Sequence, residues 1–194
     1  MRLVHDPILG LWVLWVLYWL AAAFRAKPVV RREPIRSRVM HTLPLMIAIW
    51  LFFGRGVPRG WLRARFLPPS PSWYWIGAAL VFVGLAWTVI ARVYLGGNWS
   101  GMVTLKRGHE LIRSGPYRWT RHPIYTGLLL AFVGSMVAMN EWRGVLGVVL
   151  VTIAFMRKLT VEEHFMAGQF PAEYAAYRAS VPALIPSPFR RSSP

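Results

Sequence analysis

The stretch GPYRWTRHPIYTG, residues 115–127, sets Tyr117, Arg118, Arg121, His122 and Tyr125 at the mouth of an apolar run. His109, Glu110 and Arg113 precede it. Beyond the next two apolar runs, MRKLTVEEHF holds Arg157, Lys158, Glu162, Glu163 and His164. Guanidinium groups grip carboxylates and phosphates in two-pronged fashion. Carboxylates and imidazoles exchange protons near neutrality, and aromatic faces attract cations. Brought together, these residues mark a site for charged organic groups at a water–lipid boundary. His109, His122 and His164 lack metal-ligand spacing, and the carboxylates do not repeat as in a di-iron bundle, so no metal is expected. The absence of cysteine excludes disulfides, thiolate ligands and a cysteine nucleophile.

Taken singly, each group has a plainer role. Arg113, Arg118 and Arg121 suit lipid headgroups, and Tyr117 and Tyr125 suit an interfacial belt. Pro123 fits the first turn of a helix. Lys158 and Glu162 stand at i, i+4 and are expected to pair, leaving Glu163 as the freer carboxylate.

The elements that must position these groups are apolar. Of 194 residues, 56% are hydrophobic and 11 are Trp, beyond what an ordinary soluble domain carries. Five membrane spans are expected, at 8–24, 39–53, 73–95, from the 115–127 motif to 139, and at about 142–155. The first is too long and aromatic for a cleaved signal. Pro44 is expected to kink the second. The last two, joined by a short turn, read as a helical hairpin that brings the 121–125 and 162–164 segments together. The expected fold is therefore an all-α integral membrane protein. Residues 1–72 form a two-span region, and 73–194 a core with three spans, a connecting loop and a tail. The tail from Pro182 is expected to lie along the membrane surface or fray.

The net charge is +16, and the basic residues avoid the apolar runs, which favours anionic lipid as partner over nucleic acid. With five spans, the more basic side carries loops 25–38 and 92–121 and the tail. The positive-inside rule puts that side, the C-terminus and the site in the cytoplasm, and the N-terminus outside. The basic loop 55–65 runs against this assignment.

Read together, HELIRSGPYRWTRHPIYTG, a hydrophobic hairpin and EEHFMAGQFPAEYAAYR resemble the isoprenylcysteine carboxyl methyltransferase and phospholipid methyltransferase superfamily, over about residues 84–186. That resemblance implies an integral membrane enzyme using S-adenosylmethionine without a dinucleotide-type fold, and no strand–G-x-G-x-x-G–helix unit is present. It places His109, Glu110, Leu111, Ile112, Tyr117, His122, Pro123, Ile124, Tyr125 and Glu163 in the cofactor pocket. Met102 falls at a cofactor position where carboxyl methyltransferases carry a polar residue. Lys158 replaces a substrate-side arginine, keeping the charge but losing the planar fork. Arg121 and Glu163 are the expected catalytic groups, with Arg121 also orienting an anionic acceptor. The implied acceptor is lipophilic or lipidated: a prenylcysteine-like carboxylate first, a lipid amine or hydrophobic thiol next. The alternative is a non-enzymatic NnrU-like membrane protein with haem or redox association.

Overall fold

A computed structural model describes residues 6–24, 29–99, 104–106 and 111–186. Six α-helices dominate: α1 Pro7–Ala23, α2 Ile35–Phe53, α3 Ser72–Leu95, α4 Pro123–Met139, α5 Trp142–Gln169 and α6 Pro171–Ser180. The expected all-α architecture holds except for one short antiparallel pairing of β1 (Val29–Arg32) with β2 (Thr104–Lys106). It ties together the two loops that were expected to share one face.

Helix ends follow local chemistry. Asp6 caps α1, its Oδ1 accepting from the Ile8 amide at 3.0 Å, with Pro7 in the first turn. α2 runs through Pro44. Asn140 ends α4 in the left-handed region (φ 52°) and turns the chain into α5. Its side-chain amide accepts from Leu67 N at 2.9 Å and donates to Leu67 O at 3.1 Å. Arg143 then donates to Leu51 O at 3.0 Å, joining this turn to the end of α2.

α3 lies antiparallel against α4 along a seam of small residues. Gly84 faces Gly127, and Gly77 faces Gly134. A Cβ on Gly84 would stand 2.5 Å from Gly127 O, and one on Gly127 would stand 2.6 Å from Gly84 O, so these backbones approach closer than any side chain permits. α5 packs between α4 and α2. Trp12, Phe52, Phe132 and Phe155 form the centre of the core. Trp12 of α1 packs on Phe132 at 4.9 Å and donates to Ser135 Oγ at 3.0 Å, while Trp15 donates to Thr88 Oγ1 at 2.6 Å.

α3 and α5 are long and apolar enough to cross a membrane, and α1 and α4 are apolar helices of 17 residues. The outer faces stay apolar: Leu14, Leu20, Phe82, Val93 and Ile153 are all exposed. Exposed apolar side chains in this number need a cover. α5 extends to Gln169, beyond the apolar run expected to end near 155, and so carries the polar 157–164 segment on the same helix.

Candidate active site

The site forms where the open end of the α4–α5 hairpin meets α6. Residues 111–122 lead into it through a tight turn at Gly115–Arg118. Gly115 takes φ 57° with its backbone against the Tyr94 ring, leaving no room for a side chain. Tyr117 is buried, and its carbonyl accepts from the Tyr177 hydroxyl at 2.6 Å. Burial pushes the phenols of Tyr117, Tyr174 and Tyr177 up, with Glu162 reinforcing the first and Glu163 the second. All three therefore stay neutral hydrogen-bonding groups at physiological pH.

Arg121 is the hub. Its Nε and Nη2 donate to Glu163 Oε1 at 2.9 and 2.6 Å. Its Nη1 donates to Arg178 O at 3.2 Å and also to Val181 O. His122 bridges the two carboxylates: Nε2 is 3.3 Å from Glu163 Oε1, and Nδ1 is 3.5 Å from Glu162 Oε2. Burial works against the charged ring, but the two carboxylates outweigh it, so the His122 pKa is raised. Tyr125 completes the chain by donating to Glu162 Oε1 at 2.5 Å, its ring stacked between His122 and Phe155. Lys158 Nζ lies 5.6 Å over the Tyr125 ring.

Two expectations are corrected here. Glu163 is not the freer carboxylate: it is 7% exposed and held by Arg121 and His122, with Arg178 Nε 3.6 Å away. Buried beneath α6, it takes the strongest available donor. The tail is not frayed as far as Leu184. Arg121 N and His122 N donate to Pro182 O and Ala183 O at 2.9 and 3.0 Å, and Thr126 Oγ1 donates to Leu184 O at 2.6 Å. Part-buried backbone carbonyls need donors, and the segment entering α4 supplies them.

A cleft of about 730 Å³ opens on this network. Its charged end is lined by Arg121, His122, Tyr125, Lys158, Glu162 and Tyr174. Its apolar length runs between α1, α2 and α4, past Trp19, Trp15 and Trp12 on one side and Leu45 and Phe53 on another. Of the sequence-predicted residues, Leu111, Ile112, Tyr117, Pro123 and Ile124 also line it. Glu163 stands behind the wall. Met102, His109 and Glu110 lie outside the described residues.

The phospholipid methyltransferase family model matches residues 72–173, more than half of the chain. The chain belongs to the phospholipid methyltransferase family. The resemblance drawn from the motifs is thereby borne out. Protein-S-isoprenylcysteine O-methyltransferase B of Arabidopsis thaliana is 28% identical over 62% of this chain and 64% of its own length. The cobalt-zinc-cadmium resistance protein CzcN of Cupriavidus metallidurans is 32% identical over 58% of this chain and 51% of its own. This chain thus spans about half to two thirds of the length of these two relatives. In fold it is similar to a solved structure of the eukaryotic intramembrane Ras methyltransferase ICMT, at TM-score 0.52 and 20% identity, covering 84% of this chain and 55% of that one.

The region matched to the phospholipid methyltransferase family ends before several groups that complete the site. Tyr177, Arg178 and the 181–184 carbonyls were not foreseen as site elements, and neither was the Trp12, Trp15, Trp19 face of α1. The tryptophans had a legible signal, an i, i+3, i+7 spacing that puts them on one helical face. The carbonyls had none, because any residue supplies one.

Proposed function

We propose that this chain is an integral membrane methyltransferase that uses S-adenosylmethionine and acts on a lipophilic acceptor, a prenylcysteine-like carboxylate before a lipid amine or hydrophobic thiol. One observation carries the reading: the charged network and a long apolar trench belong to a single cleft. A soluble acceptor gives no reason for the trench. An amphiphilic one has a chain to bury, and burial contributes roughly 25 cal/mol per Å² of apolar area.

The residues at the charged end suit the cofactor. The Glu162 carboxylate faces the cleft and can accept from an ammonium or from ribose hydroxyls. The Tyr117 and Tyr174 rings, also on the wall, offer π faces to adenine or to a sulfonium. When bound, S-adenosylmethionine supplies a methyl group made electrophilic by its sulfonium. The chain supplies alignment and a dry wall, a contribution of roughly 7–11 kcal/mol at most to lowering such a barrier. Arg121 and Glu163 act as a clamp holding α4, α5 and the tail in register. Lys158, on the cleft wall, would hold an anionic acceptor head. A carboxylate acceptor needs no base. An amine must first lose a proton, for which the His122–Glu162 pair is placed.

In the same reading α1 to α5 cross the bilayer with the charged end cytoplasmic, as the positive-inside rule favours. Seventeen-residue helices reach ~25 Å at 1.5 Å per residue, close to the ~30 Å core. The longer α5, of 28 residues, then carries Glu162 and Glu163 out to the interface.

The test is transfer of labelled methyl from S-adenosylmethionine by detergent-purified protein. Farnesylcysteine analogues, aminophospholipids and hydrophobic thiols are offered in turn. Base-labile label on the farnesylcysteine analogue is the expected result. Titration of S-adenosylhomocysteine is the control, and absence of binding at millimolar ligand would sink the enzymatic reading.

A further inference from the structure

The family match begins at residue 72, so α1 and α2 lie outside it. They nevertheless supply two walls of the cleft's apolar length. The α1 wall is a ladder of indoles descending from the charged end. Trp19 is uppermost, its ring 5.7 Å from that of Trp99, which also lines the cleft. Trp15 stacks on Trp19 at 4.5 Å, and Trp12 meets Trp15 edge-on at 5.8 Å. Trp12 and Trp15 are also held by their N–H groups, on Ser135 Oγ at 3.0 Å and Thr88 Oγ1 at 2.6 Å. Ser135 and Thr88 are buried and donate in turn to Ala131 O and Leu85 O. Indoles fixed by both packing and a supported hydrogen bond make a wall of set shape.

The ladder ends on a floor of rings. Trp12 packs on Phe132 of α4 at 4.9 Å and on Phe53 of α2 at 6.0 Å, and Phe52 meets Phe132 at 5.2 Å. Trp12, Phe52 and Phe132 are all buried. The flank differs. Val13 and Leu17 of α1 and Ile49 of α2 line the cleft yet are roughly half exposed, so the trench is open sideways and closed at its far end. Tyr125 at the charged end and Phe132 in the floor stand seven residues apart on α4, or ~10 Å at 1.5 Å per residue. An extended isoprene repeat, four carbons long, spans ~5 Å at bond lengths near 1.5 Å. Two repeats therefore fit between Tyr125 and the floor, with a third beside Trp19 and Trp99 at the mouth.

We propose that Trp12, held by Ser135, is the specificity-determining residue that stops the acceptor's hydrocarbon tail, so that the cleft selects a tail of fifteen carbons over shorter and longer ones. This rests on the proposed methyl transfer to a lipophilic acceptor. A longer tail must displace the floor or turn out through the open flank, and a shorter one leaves the Trp12–Phe132 end unfilled. The charged end is built from residues after 110, whereas the choice of tail falls to α1 and α2, outside the family match.

The test offers S-geranyl, S-farnesyl and S-geranylgeranyl cysteine analogues, with tails of ten, fifteen and twenty carbons, to the full chain in detergent. For the native chain, kcat/KM should be highest at fifteen carbons, by about tenfold over either alternative. Trp12→Ala opens the floor, and the twenty-carbon acceptor should gain about tenfold relative to the fifteen-carbon one. Leu128→Trp fills the trench one turn below Tyr125 and should make the ten-carbon acceptor the best. The affinity for S-adenosylhomocysteine should stay unchanged in both variants. If Trp12→Ala does not fold, Ser135→Ala, which frees the indole without removing it, should shift preference in the same direction by about threefold. Variants that lower turnover of all three acceptors alike, as a purely structural role predicts, overturn the proposal. A native chain indifferent to tail length overturns it too, while leaving the proposed function standing. A native chain that transfers no methyl group defeats the proposed function instead. Calorimetric dissociation constants of the three analogues then decide this inference by the same rank order, and binding of none of them overturns it.

Discussion

The α4–α5 hairpin has two polar ends built on different physics. At the closed end, Asn140 and Arg143 pair mainly with backbone groups of Leu67 and Leu51. These bonds satisfy loop amides and carbonyls, and the cleft does not reach them. At the open end, Arg121, His122, Glu162 and Glu163 pair with one another in a buried setting, and one side of the network faces the cleft. Bonds to backbone, with one ion pair between Arg143 and Glu141 at 2.5 Å, hold a turn that lines no part of the cleft. Clustered ions are costly to bury, and they keep a field that a charged ligand feels. The comparison teaches that polar residues at a hairpin end are not by themselves a sign of function. Mutual pairing of side chains beside a cleft is the sign.

The largest effect should come from breaking the open end at its hub. Arg121→Met leaves Glu163 buried without its main partner, and a loss of about 3–5 kcal/mol is expected. Thermal unfolding in detergent reads this, and a midpoint shift no larger than that of an exposed arginine variant would contradict it. The seam that supports both ends comes next. Gly127→Val drives a side chain into Gly84 O and the Thr88 side chain, at a cost of about 1–3 kcal/mol or more, again read by unfolding.

Asn140→Ala sharpens the comparison from the closed end. It loses two hydrogen bonds and places alanine at positive φ, for about 1–3 kcal/mol in stability. The affinity for S-adenosylhomocysteine, measured calorimetrically, should be unchanged. Tyr125→Phe should do the opposite. Losing the hydroxyl bond to Glu162 costs only about 1 kcal/mol of stability but weakens S-adenosylhomocysteine binding several-fold.

The smallest effect concerns pH. The His122 pKa is raised in the folded protein, so its stabilisation is complete below the ordinary histidine value of about 6.5. It is lost as pH rises through the raised value. The unfolding midpoint of the native chain should therefore fall toward that of His122→Gln as pH climbs from about 6.5, while Asn140→Ala shows no such convergence. Parallel pH profiles for all three would show that His122 carries no charge in the fold.

Much of the bundle was legible in the residues, because long apolar runs and their breakers act locally. Asp6–Pro7, Pro123 and Asn140 each set a helix end through residues only a few positions away in sequence. The meeting of Arg121 and His122 with Glu162 and Glu163 also followed from sequence, since a short turn between two straight helices leaves their far ends side by side. The division of labour between the carboxylates did not. Glu162 and Glu163 are adjacent and chemically alike, so their helical faces can be read, but not what covers each face. Only α6 and the returning tail, packed from far along the chain, bury Glu163 against Arg121 and leave Glu162 to the cleft.

Composition, periodicity and motif order thus determined the helices, their hairpin and the family. Each depends on neighbours in sequence or on side-chain type alone. Tertiary structure decided which charges are consumed by one another and which remain on the wall of the cleft. Charge pairing depends on distance and burial in space, and those are set by packing between segments that share no local signal.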